Sequence, residues 1–346
     1  MKMKAVVKRK RELGAELEEV DVPTPQKKEV LVKVLATSIC GTDAHIYEWN
    51  EWAQSRIRNL PHIMGHEFAG EVVEVGSNVE RLKVGDYISC ETHIPCNQCV
   101  PCLSGQKHLC SNLKIVGVDI NGSFAEYVSI PEEVAWKNDK SIPPEIASIQ
   151  EPLGNAIYAT TVTDITGRSV VIFGDGPIGL FSTAVARLSG ASKIILVGLI
   201  DFRLEMAKSL GADLVLNAKK EKVVECIMDL TGGTGADVVI EMAGANEAIK
   251  NGLEVVRKGG VFVAFGIPPS SVTIDYNNQI IFKGITIYGI NGREMYRTWL
   301  KTSSWLKEGK LKISSVITHK FKLEDFEKGF RLMLHPENSA KIVLFP

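Results

Sequence analysis

Neither sign of charge is in excess in this sequence: 40 lysines and arginines stand against 41 aspartates and glutamates, a formal net charge of -1. A basic face for nucleic acid or for an anionic membrane surface is therefore not indicated. Long apolar runs are missing too. The longest apolar stretch, residues 169–188, is broken by Gly174, Asp175, Gly176, Pro177 and Gly179, which excludes a transmembrane helix there. The basic start Met1-Lys2-Met3-Lys4 is followed only by Ala5-Val6-Val7 before charge resumes, so it reads as a solvated edge strand and not as a secretory signal. Cysteine is scarce outside one place. Of seven, Cys40, Cys90 and Cys226 stand apart, and four crowd between Cys96 and Cys110. Without a secretory signal, that crowding points to metal ligation instead of disulfides, and the expected compartment is the cytoplasm.

What the chain does have is length and two textures. With 346 residues, 45% of them hydrophobic, two domains are expected. Up to about Glu151 the pattern is strand-rich: residues 30–35, 70–76 and 84–88 are short β-type runs bounded by turn residues, which suggests a barrel or folded sheet. Beyond Gly154, continuous Val/Ile runs alternate with helical stretches. Strands are expected over 169–173, 193–197, 213–216, 237–241, 260–265 and 285–290, with helices over 177–188 and 202–210. Such alternation means a parallel sheet covered on both faces, the doubly wound α/β architecture that binds nucleotides.

Three motifs carry chemistry. Cys96-x2-Cys99-x2-Cys102-x7-Cys110 can wrap four thiolates round one tetrahedral Zn²⁺. Four sulfurs leave no open position, so this site is structural; Cys90 and Cys226 fall outside the spacing and read as small buried hydrophobes. The second constellation is Cys40-Gly41-Thr42-Asp43-Ala44-His45 with Gly65-His66-Glu67. Cys40 and His66 are the ligand types of a catalytic zinc, and Glu67 either binds directly or supports from behind. Alone this pair is weak; a structural zinc and a nucleotide domain in the same chain strengthen it. The third motif, Gly174-Asp175-Gly176-Pro177-Ile178-Gly179, is a G-x-G-x-x-G between a strand and a helix, suited to a dinucleotide pyrophosphate. Asp175 is an unusual neighbour for a pyrophosphate and is expected to point to solvent. The next strand should end in an acid that binds the adenosine ribose. Gly198 stands there instead, with Asp201 three residues late. Without that carboxylate a 2′-phosphate is not repelled and Arg203 offers it a partner, so NADP is admitted beside NAD.

Together these residues resemble the zinc-containing medium-chain alcohol dehydrogenases over nearly the whole chain. The resemblance implies a GroES-like β-rich catalytic domain (residues 1–153 and 291–346, with a zinc lobe at about 90–112) interrupted by a Rossmann domain (154–290). Residues 37–53, 150–156 and 286–293 look like the branch of that family that oxidises L-threonine at C3 to L-2-amino-3-oxobutanoate. By that likeness Cys40, His66, Glu67 and Glu151 belong to the catalytic zinc, giving two zincs per chain, and Thr42 and His45 match the family's proton relay. His93 matches a substrate-pocket position, Arg293 approaches the cofactor, and a homotetramer follows, with residues 285–290 a candidate edge for pairing. Glu48 is a further substrate candidate on position alone; Trp49 and Trp52 either wall the pocket or pack. The rival readings are a sorbitol- or 2,3-butanediol-type zinc dehydrogenase and a non-catalytic, zinc-stabilised nucleotide-binding protein.

Overall fold

The computed structural model describes residues 1–346, and the chain divides into two units. The first comprises residues 1–152, 294–307 and 317–346; the second comprises residues 153–293 and 308–316. No helix is long and apolar enough to cross a membrane.

The first unit is β-rich. Its main sheet is ordered Ala135–Lys137, Tyr87–Cys90, Glu67–Val75, Glu29–Ile39, Lys341–Phe345, Ile317–Lys322, with Tyr127–Pro131 also paired to Glu29–Ile39. The long strand Glu29–Ile39 is the spine, because residues from three partners hydrogen-bond to it. Val30, Val32 and Val34 alternate inward with Phe68, Val72 and Ile88 to form one core. A second core gathers Ile39, Ile46, Met64, Phe124 and Phe330 beneath the helices Gly41–Glu48 and Phe326–Leu334. Two expectations need correction. Lys2–Lys8 is not an edge: it lies between Glu16–Asp21 and His62–Ile63, and Met3, Ala5, Val6 and Val7 are buried. The strand expected from residue 84 begins at Tyr87, because Gly85 turns the chain at φ +86°.

The second unit is a six-stranded sheet in the order Leu214–Asn217, Lys193–Gly198, Ser169–Phe173, Ala236–Glu241, Val256–Ala264, Thr286–Gly289, and every neighbouring pair is parallel. This is the doubly wound order, two strands out from the first on one side and three on the other. Val170, Val171, Ile172 and Phe173 are all buried, as a strand covered on both faces requires. The helix Pro177–Leu188 follows this strand directly and packs on it. The α/β class and the doubly wound sheet read from the sequence are both present.

Candidate active site

The pairing of Glu29–Ile39 with Glu67–Val75 sets the metal cluster. Ser38 stands opposite Glu67 in register, so Cys40, just past one strand's end, comes beside His66, just before the other's start. Gly65 turns the chain at φ +90°, and a Cβ there would meet the Phe124 ring at 2.2 Å, so only glycine fits. The donor atoms of Cys40, His66 and Glu67 all lie within 4.8 Å of one another. Their surroundings are built to hold them. Asp43 Oδ2 accepts the Cys40 N–H at 2.9 Å, and Asp43 Oδ1 stands 3.4 Å from His66 Nδ1. Glu67 Oε2 accepts from the Ser38 hydroxyl and from the Lys341 ammonium, which also donates to the Ile39 carbonyl at 2.9 Å. Burial pushes the Glu67 carboxyl up, against the pull of Lys341. Burial disfavours the Lys341 and His66 cations too, yet Glu67, Cys40 and Glu151 together outweigh it for the first, and Asp43 and Cys40 for the second, so both are raised.

These residues fit a cation. Glu67 Oε1 is buried without a hydrogen-bond partner, an expensive condition that a metal at the cluster relieves. One thiol, one imidazole and one carboxylate are the donor set of a zinc site with room for a further ligand. Glu151, at the start of the helix Gln150–Thr161, is buried and its charge acts on Glu67 and Lys341, but it lies outside the converging group of three. Asp43, Ser38 and Lys341 were not singled out from the sequence. Asp43 carried a signal, its spacing three residues after Cys40 at a helix start; Lys341 carried none.

The helix Gly41–Glu48 presents Thr42 and His45 three residues apart, on one face. Asn50 fixes the imidazole. Its Oδ1 accepts the Ala53 N–H as the cap of the next helix, so its amide nitrogen faces His45 Nδ1 at 2.7 Å. That donor leaves the ring proton on Nε2. Glu48 is exposed. His93 Nδ1 faces the buried Glu91 carboxylate at 3.0 Å, and Glu91 also accepts the Trp299 indole N–H. Trp49 is a core residue beneath the Lys8 ammonium, 5.4 Å from its ring centroid, which removes it from the pocket-wall candidates. Trp52 is 40% exposed, with its ring 5.8 Å from His45.

The donor sulfurs of Cys96, Cys99, Cys102 and Cys110 also converge within 4.8 Å. Cys99 Sγ lies 3.4 Å from Cys102 Sγ and 3.8 Å from Cys110 Sγ. Those separations suit the edge of a tetrahedron with Zn–S bonds of about 2.3 Å, roughly 3.8 Å. The backbone N–H groups of Cys102 and Ser111 pull the Cys99 thiol down to about 6, toward the thiolate that metals bind.

In the second unit, the glycine-rich turn has the shape a pyrophosphate needs. Gly174 sits at φ +118°, a Cβ on Gly179 would strike the Gly174 carbonyl at 1.9 Å, and Gly176 opens on free space. Pro177 and Ile178 begin the helix, whose N-terminal amides point at that space. Arg293 is fully buried and donates to Asn155 Oδ1 at 3.2 Å; a Cβ on Gly154 would press on its Cδ at 2.7 Å. Asp175 does not face solvent, contrary to expectation. It is 8% exposed, and its carboxylate accepts the Leu199 and Ile200 N–H groups at 2.8 and 2.7 Å. The strand pairing, Phe173 beside Val197, brings these ends together.

Comparison with known proteins agrees with this chemistry. Residues 26–141 match the alcohol dehydrogenase GroES-like domain, and residues 177–308 match the zinc-binding dehydrogenase domain. The chain belongs to the zinc-binding, nicotinamide-linked alcohol dehydrogenases of the medium-chain type. It is 55% identical to the L-threonine 3-dehydrogenase of Pyrococcus horikoshii, over 96% of this chain and 95% of that one. A zinc-binding dehydrogenase of Sinorhizobium meliloti bound to NADP superposes with a TM-score of 0.91 at 29% identity, covering 100% of both chains. An Escherichia coli alcohol dehydrogenase complexed with NADH gives 0.92 at 28% identity, covering 100% of this chain and 99% of that one.

Proposed function

We propose that the protein oxidises L-threonine at C3 to L-2-amino-3-oxobutanoate, passing a hydride to a nicotinamide dinucleotide. The observation that carries this is 55% identity to an L-threonine 3-dehydrogenase along nearly all of both chains, with Cys40, His66 and Glu67 converged in this one. Zinc in that cluster supplies Lewis acidity toward the substrate hydroxyl. The protein's own part is positioning. Cys40, His66 and Glu67 would hold the metal, with Glu151 as the further ligand that would exchange with water. Asp43 orients the His66 ring, as the carboxylate behind a ligating histidine does, and Ser38 and Lys341 fix Glu67. Thr42 takes the hydroxyl proton and His45 exchanges it with water. His93 and Glu48 contact the polar ends of the amino acid.

The second zinc sits in the four-cysteine lobe, making two per chain. Gly174, Gly176, Pro177, Ile178 and Gly179 cradle the cofactor's pyrophosphate, with Gly198 and Arg203 toward its adenosine and Arg293 toward its other half. None of the seven cysteines is in a disulfide, which suits a reducing compartment, the cytoplasm. The strand Thr286–Gly289 is a sheet edge with Ile287, Ile281 and Phe282 exposed beside it, an edge that calls for a partner copy in a homotetramer. Sedimentation equilibrium is expected to give four times the 37.9 kDa chain mass; a monomer would sink the assembly.

The reaction is tested by turnover of L-threonine, sorbitol and 2,3-butanediol with zinc-replete protein. L-Threonine is expected to have the highest kcat/KM, at least about tenfold above the others, because only it carries the charged groups a polar pocket is built to pair. Turnover of 2,3-butanediol without turnover of L-threonine overturns the assignment.

A further inference from the structure

The strand Lys193–Gly198 ends in glycine, where a nucleotide-binding sheet of this order ordinarily carries the acid that reads the adenosine ribose. Taken alone, that glycine predicts tolerance of a 2′-phosphate. The space beside it is occupied, however. A Cβ built on Gly198 would lie 2.5 Å from both the Cβ and Oδ2 of Asp175. The carboxylate therefore fills the volume into which a side chain at position 198 would grow, and it reaches that volume from the glycine-rich turn.

Both hydrogen bonds from the backbone, those of Leu199 and Ile200, end on Oδ2, which leaves Oδ1 available as an acceptor. Those two N–H groups immediately precede the helix Asp201–Ser209, so they are among the donors that an anion would otherwise seek. Asp175 also lines a cavity of about 170 Å³, walled by Gly198, Leu199, Ala218, Ala243 and Ala248, which suits the flat apolar face of a purine. Arg203, buried on the same helix, lies within the field of Asp175.

We propose that Asp175 selects NAD over NADP, standing in from the glycine-rich turn for the acid missing at Gly198. Oδ1 accepts from a ribose hydroxyl. Oδ2 occupies the two N–H groups that a 2′-phosphate would need, and its charge repels that dianion. The inference rests on the reading of this chain as a nicotinamide-dependent dehydrogenase and names the selectivity of that same site.

The test is Asp175→Asn, whose side-chain carbonyl still accepts the Leu199 and Ile200 N–H groups while the charge is gone. Native protein is expected to prefer NAD. In the variant KM for NAD rises and KM for NADP falls, shifting the ratio of kcat/KM values by at least about tenfold, as loss of one close like-charge contact implies. A residue that merely caps the turn would move neither KM in opposite directions. A second variant relocates the carboxylate: Asp175→Gly, which also removes the Cβ that would meet one at position 198, favours NADP, and adding Gly198→Asp to it restores NAD. Titrating native and variant proteins with NADH and NADPH, followed by nicotinamide fluorescence, reads the same selectivity without turnover. A native protein that prefers NADP, or an Asp175→Asn ratio within twofold of native, overturns the proposal. Tight, selective NADH binding with no turnover of any alcohol overturns the reaction and leaves the selectivity standing.

Discussion

Cys40→Ser is expected to abolish alcohol oxidation while the protein melts close to the native temperature. The two halves of that expectation have separate physical causes. A serine hydroxyl does not ionise near neutral pH and is a poor zinc ligand, so the cluster with His66 and Glu67 loses its only soft donor. Lewis-acid assistance is worth several kcal/mol, and at 1.36 kcal/mol per tenfold that is a loss of about a thousandfold or more in kcat. Stability is spared because Cys40 caps the helix Gly41–Glu48, and serine is a favoured residue at that position. The adjoining core of Ile39, Ile46, Met64 and Phe124 is untouched. Metal analysis should fall from about two zincs per chain to one. A variant with activity within tenfold of native contradicts the site, and so does a collapse in melting temperature with the metal count unchanged.

How much of this arrangement could be read in advance depends on how local each signal is. The strand Ser169–Phe173 announced itself because both its faces are buried, which makes it a continuous apolar run, and the turn after it carries its glycines in a fixed spacing. The four cysteines were equally local, since their converging sulfurs come from 15 consecutive residues, Cys96 through Cys110. Cys40 and His66 were weaker: their meeting depends on the register of two strands, and the pair gained weight only from the four-cysteine motif and the nucleotide domain in the same chain, with family likeness adding Glu151. Groups that act through distant pairing had no signal. Lys341 reaches Glu67 because the C-terminal strand Lys341–Phe345 lies against Glu29–Ile39. Glu91 meets Trp299 across 208 positions of sequence. Asp175 was visible but misread. A charge in a pyrophosphate turn is out of place by the usual pattern, so solvent was its expected destination. The parallel register of Phe173 with Val197 instead carries it beside Gly198, where the glycine leaves room for it. The oddity at 175 and the oddity at 198 are one feature.

Cys99→Ser should have the opposite profile, with stability lost and the catalytic cluster intact. The lobe around the four cysteines has little apolar burial to fall back on: Val100, Leu103 and Leu109 are exposed, and its only sheet is the two-residue pair His93–Ile94 with Lys114–Ile115. Short segments of this kind are ordered by their metal, whose binding supplies about 10–16 kcal/mol in small zinc domains. Cys99 is central to the group, in contact with both Cys102 and Cys110 and drawn toward the thiolate by two backbone N–H groups. Replacing it leaves three sulfurs and an incomplete shell. The melting temperature is expected to fall by on the order of 10 °C, taking a loss of a few kcal/mol in a unit of this size. Zinc content should fall to about one per chain, and limited proteolysis should open first between Cys96 and Cys110. Below the new melting temperature the protein still holds zinc at Cys40, His66 and Glu67 and still oxidises its alcohol. A Cys99→Ser protein that keeps both zincs and the native melting temperature would show that the lobe is held by something other than its four sulfurs.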